Sequence, residues 1–156
     1  QEWVTSERIS GYERVLSFID GSAKQPLKTE KLDPEFKKLC LDIRSWSPAR
    51  RRNSEGEYKV ELRGHLKSLG YLVNEEFGES KVDLLINKKH MVELKKDPKL
   101  GDYDRLFGQL ARHLQHKLRV IVLIFDAVSE DHLRNFEVLV DTYLNREATI
   151  VEVIKI

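Results

Sequence analysis

Two apolar stretches of this chain are interrupted by charge. Val82-Asp83-Leu84-Leu85-Ile86 is hydrophobic apart from Asp83, and Met91-Val92-Glu93-Leu94-Lys95 apart from Glu93 and Lys95. A carboxylate inside a sheet is costly unless something compensates it. Two that converge also repel each other. A divalent cation removes both objections, because hard oxygen donors suit Mg2+. Alternation along a strand sets Glu93 and Lys95 on one face. If residues 81–87 and 90–96 pair as an antiparallel hairpin about Lys88-Lys89, Asp83 lies close to Glu93 across the ladder. Depending on the loop, a bulge is needed to bring both carboxylates to the same face. Lys95, one pleat away, is then placed to stabilise charge on a phosphorane-like transition state or to help deprotonate an attacking water. The plain alternative is a salt-bridged Glu93–Lys95 pair on an edge strand, with Asp83 at the surface.

The elements that must position these groups are legible as periodicities. Ser10 to Glu13 has capping-box spacing, followed by a helical stripe of Tyr12, Val15, Leu16 and Ile19 that ends at Gly21. Residues 22–31 read as a loop. Asp33-Pro34 is an N-cap and first-turn pair for a second helix, with Phe36, Leu39, Cys40 and Ile43 at helical spacing and Trp46 and Pro48 closing it. A basic connector, Arg50-Arg51-Arg52, leads to Ser54 and Glu57, another capping box opening a helix over about 55–69, with Gly70 at its end. Strands are expected at 71–77, 81–87 and 90–96, then a helix at about 103–117. An apolar strand buried on both faces follows at 120–125. A helix over 129–144 and a last strand at 149–156 complete the order. From residue 55 this is α-β-β-β-α-β-α-β, an α/β fold with a mixed central sheet flanked by helices. Residues 1–53 form a helical N-terminal extension to a core over 54–156.

Asp83, nine residues, then Glu93-Leu94-Lys95 resembles the core motif of the PD-(D/E)XK nuclease superfamily, the restriction-endonuclease-like fold. The order α-β-β-β-α-β is similar as well. The resemblance covers roughly residues 54 to 126, with Val82 standing where the name-giving proline would be. It implies a metal-dependent nuclease that hydrolyses phosphodiester bonds with Mg2+-activated water, Mn2+ being able to substitute. The metal set it implies is Asp83, Glu93, the carbonyl of Leu94, and a glutamate on the first core helix. Glu55 extends the apolar stripe of Tyr58, Leu62 and Leu66 and fits that place, with Glu57 and Glu61 as rivals. A glutamine on the helix after the hairpin is implied too, and Gln109 supplies it, to position Lys95, water or phosphate. Gly108 beside it would permit close backbone approach. DNA is the implied substrate, with RNA left open.

Phosphate contacts are expected from Arg50, Arg51, Arg52, Lys96, Lys99 and Arg112, and from Lys95 and Lys117. His113 and His116 lie three apart on one helix and could in principle bind a metal. No third ligand is evident, so they read as polar-face histidines. His90 begins the strand that leads to Glu93.

The 156 residues are 40% hydrophobic and 34% charged, as a globular protein requires. A net charge of +1 argues against a chain that is basic all over, while leaving room for a local cationic patch. Cys40 is the one cysteine, so an internal disulfide is impossible and a cysteine-based zinc site is not expected. With no apolar run of membrane length and no signal-like start, the reading is a cytoplasmic protein without a membrane partner. A homodimer or larger assembly is left open. Two other readings fit the sequence: a catalytically silent nuclease-like domain that binds nucleic acid or a protein, and a regulatory nuclease domain of a larger defence or repair protein.

Overall fold

Local capping chemistry sets the first two helices. The computed structural model describes residues 33–77, 82–115, 118–146, 148 and 150–156. The helix expected over 12–19, the loop at 22–31, and His116 and Lys117 lie outside them. Helix α1 (Pro34–Arg44) opens on Asp33, whose carboxylate accepts from the amides of Glu35 at 3.0 Å and Phe36 at 3.2 Å. Helix α2 (Glu55–Ser68) opens on Ser54, whose hydroxyl accepts from Glu57 N at 3.2 Å, while the Glu57 carboxylate accepts from Asn53 N at 2.7 Å. Gly70, at φ +94°, turns the chain out of α2.

A five-stranded sheet follows in the order β1 (Val73–Phe77), β2 (Val82–Ile86), β3 (His90–Lys96), β4 (Arg119–Phe125), β5 (Val151–Lys155). The first three strands are antiparallel neighbours, and β3, β4 and β5 are parallel. The crossovers are α3 (Leu100–Leu114) and α4 (Glu130–Leu139), the latter continuing as a π-helical turn (Val140–Leu144). The protein is therefore α/β, with a mixed sheet between two layers of helix. Helix α3 begins three residues before the expected 103, because the Asp102 carboxylate accepts from Lys99 N at 2.8 Å and caps an earlier turn. Among the described residues no helix is long and apolar enough to cross a membrane.

The β2–β3 turn decides which face each side chain takes. A two-residue loop at 88–89 would put Asp83 and Glu93 on opposite faces. Instead Asn87 leaves the strand, with φ +51°, Lys88 follows at φ +59°, and Lys89 N donates to Ile86 O at 3.0 Å. Asparagine tolerates this left-handed backbone better than most residues. The pairs are then Ile86↔His90, Leu85↔Met91 and Leu84↔Val92. One further step along this register sets Asp83 opposite Glu93. The one-residue change in the turn does what a bulge would have done.

Two apolar layers hold the sheet. On one face Phe36, Leu39, Ile43 and Trp46 of α1 and its exit pack with Tyr58, Leu62 and Leu66 of α2 against Val92, Leu94, Ile121 and Phe125. On the other, Tyr103, Leu106, Phe107 and Leu110 of α3 and Leu133 and Phe136 of α4 cover Leu85, Met91, Val122 and Ile124. Of the described part of the extension, α1 and Trp46 are thus built into the core. Leu39 is fully buried between α1 and the sheet. Leu39→Ala should lower the unfolding free energy by about 2–5 kcal/mol in urea denaturation, as for other buried leucines; a change within error would mean α1 is not part of the cooperative unit.

Candidate active site

Strand alternation and register place Asp83, Glu93 and Lys95 on the sheet face covered by α3, at the end where β2 begins and β3 finishes. This is also the C-terminal side of the parallel half, where open α/β sheets form ligand crevices. The β2–β3 pairs stop at Leu84↔Val92. Beyond that point Leu94 N donates at 2.7 Å to Asp83 Oδ2, so a side chain takes the place of a strand partner. Glu55, at the start of α2 on the opposite face, reaches the same stretch of β3: its Oε2 accepts from Lys96 N at 3.0 Å. Its rivals are engaged elsewhere. Glu57 caps α2, and Glu61 accepts from Arg52 Nη2 at 2.7 Å and from Ala49 N at 2.6 Å.

Glu93 is only 4% exposed, and His113 Nε2 stands 3.3 Å from its Oε1. The Asp83 carboxyl is pushed up to about 6, first by burial and then by the Glu93 and Glu55 charges, against the pull of the Leu94 amide and Lys59. Three carboxylates thus press on one another electrostatically. Among the described residues no three His, Cys, Asp or Glu side chains are gathered as an ion cage. Asp83 and Glu55 each spend one oxygen on a backbone amide. The donor set, mutually repelling oxygens with one almost out of water, is one that a hard divalent cation would relieve, so the residues fit such an ion. Leu94, whose carbonyl the resemblance offered as a ligand, is tied into this cluster through its amide.

Lys95 is half-buried, and its charge is felt by Asp102 in the first turn of α3. Gln109 is half-buried on α3, one turn before His113, on the stripe that overlies β3. Outside its own helix, nothing lies within 4 Å of the place a side chain would take at Gly108.

The expected phosphate-binding cations divide. Arg51 Nε lies 3.5 Å and Lys96 Nζ 3.7 Å from the Asp126 carboxylate at the end of β4. Arg50 is exposed. Arg52 is committed to Glu61 through two nitrogens, at 2.9 and 2.7 Å from Oε1. Lys99 pairs with Asp97 at 3.0 Å, and Arg112 is exposed on α3.

One histidine expectation needs correction. His113 is no polar-face residue: it is 2% exposed and faces Glu93. The signal was present, since Leu106, Leu110 and His113 continue one apolar stripe by steps of four and three. His90 lies on the opposite face from Glu93, its ring 5.5 Å from that of Phe36. Burial lowers its pKa. Lys59, four residues after Glu55 on α2, was not singled out by its sequence at all, yet it acts on Asp83.

The chain matches no protein-family model, and comparison with curated proteins and with solved structures gave no match. The site therefore stands on its own geometry.

Because the folded chain holds the Asp83 proton up to about pH 6, against an ordinary value of 3.8, the penalty is absent below pH 3.8 and complete above pH 6. In EDTA, Asp83→Asn should raise stability at pH 8 by about 1–3 kcal/mol and leave it nearly unchanged at pH 3.5. Thermal unfolding at the two pH values checks this; equal shifts would show that the carboxylate is not under electrostatic strain.

Proposed function

We propose that this chain is a divalent-metal-dependent nuclease of the restriction-endonuclease-like fold that hydrolyses phosphodiester bonds in DNA. The observation that carries the reading is the placement of Asp83, Glu93 and Lys95 together on one face where β2 and β3 part. The element order α2-β1-β2-β3-α3-β4 supports it, being that of the superfamily core. So does Glu55, which comes to the same stretch of β3 from the first core helix.

In this reading Asp83 and Glu93 hold the ion, with Glu55 beside them and the Leu94 carbonyl as a further oxygen. What bound Mg2+ or Mn2+ supplies is Lewis acidity toward water and toward the phosphoryl oxygens. Lys95, on the same face as Glu93, meets negative charge as it builds on the phosphoryl group. Gln109, one helical turn from His113, orients Lys95, water or phosphate. Lys96 at the C-terminal end of β3, with Arg50 and Arg51 on the connector, of which Arg51 reaches Asp126 just past β4, draw the backbone of the nucleic acid toward the site. The pairing of Arg51 and Lys96 with Asp126 keeps their charges near the crevice until phosphate competes for them.

Plasmid, linear and single-stranded DNA incubated with Mg2+ or Mn2+ should be cleaved, and EDTA should abolish the activity. Glu93→Ala and Lys95→Ala should each reduce the rate by about 100-fold or more, the range seen when a transition-state electrostatic contact is removed. Equal cleavage by wild type and both variants would remove this active site from consideration. DNA binding without cleavage under every metal condition would make the chain a binding domain.

A further inference from the structure

The sequence motif accounts for Asp83, Glu93 and Lys95 but not for what lies behind Glu93. We propose that His113 is a positioning residue: its imidazole holds one oxygen of Glu93 from the α3 side and leaves the other to face the ion shared with Asp83. This rests on the metal-dependent reading above.

Three observations carry it. His113 and Glu93 are both almost fully buried, at 2% and 4% exposure, so water does not serve either group well. His113 Nε2 is 3.3 Å from Glu93 Oε1, yet it has no aligned hydrogen-bond partner among the described residues. A buried ring nitrogen left without a partner is costly, so with the proton on Nε2 a small rotation that closes this contact is favoured. The two groups also sit on regular elements, strand β3, paired with β4 along its whole length, and the buried stripe of α3.

The chemistry follows from what a carboxylate ligand needs. A glutamate has three side-chain torsions, and one that must present a single oxygen to an ion loses binding free energy for each rotamer it samples. A donor on its far oxygen removes that freedom. Partners behind metal ligands are typically worth 10–100-fold in metal affinity. In Asp83 the same task falls to the Leu94 amide. Glu93, further inside, is not given a backbone donor by any hydrogen bond among the described residues, and the helix supplies an imidazole instead.

The test uses the whole chain, with Mn2+ binding followed by the loss of the free-ion EPR signal, and thermal unfolding as a control. His113→Phe keeps an aromatic ring but removes the donor, while His113→Gln replaces the ring and keeps a donor. Phe should weaken Glu93-dependent Mn2+ binding by about 10–100-fold without a matching loss of thermal stability, and Gln should recover most of it. Cleavage by the Phe variant should shift to higher Mn2+ concentration, with a smaller change in its saturated rate. If folded His113→Phe binds Mn2+ as tightly as wild type, the positioning role is overturned and the nuclease reading stands. If Gln is as weak as Phe, the donor is not what matters and the proposal also fails. If wild type shows no Glu93-dependent Mn2+ binding, both readings fall.

Discussion

The arrangement of this chain turns on a repulsion. Two carboxylates from neighbouring strands share one face, and the more deeply placed, Glu93, is almost out of water. Neither belongs to the two apolar layers. Around them lie the few polar groups a sheet interior can offer: the Leu94 amide donates to Asp83 and the Lys96 amide to Glu55, while the His113 ring stands 3.3 Å from Glu93. That set is partial, as the raised Asp83 carboxyl shows.

The supporting architecture can be understood from that requirement. The carboxylates must meet, so the β2–β3 turn must have the right parity, and Asn87 provides it by leaving the strand. They must meet where the strands part, so that Leu94 N is free to turn to a side chain. Glu55 must arrive from the other face, so α2 must begin level with the end of β3. Its start is fixed by the Ser54–Glu57 cap, which also releases Glu55 from capping duty.

Much of this was legible in the residues. The alternation around Glu93 and Lys95, the lone Asp83 in an apolar run, and the capping spacing of Ser54 and Glu57 are local signals, and the structure places them as expected. The order of strands and helices was equally plain, because each carries its own period. The failures were non-local. The turn's extra residue depends on a left-handed backbone at Asn87, which periodicity does not encode. His113 was read as polar because its type outweighed its place on the stripe. The influence of Lys59 on Asp83 depends on how α2 lies over the strand ends, and no spacing within α2 reveals that.

Tyr58 has a further consequence. Its ring stacks on Phe125 at 4.0 Å, its hydroxyl donates to Asp126 Oδ2 at 2.8 Å, and the Tyr58 hydroxyl oxygen accepts from Arg52 N at 3.0 Å. A single side chain therefore rivets the arginine-rich connector to the C-terminal tip of β4. Cations borne on a loose tail would surrender chain entropy each time they gripped a polyanion. Here that entropy was surrendered when the protein folded, so the connector is a fixed bracket of charge rather than a tether.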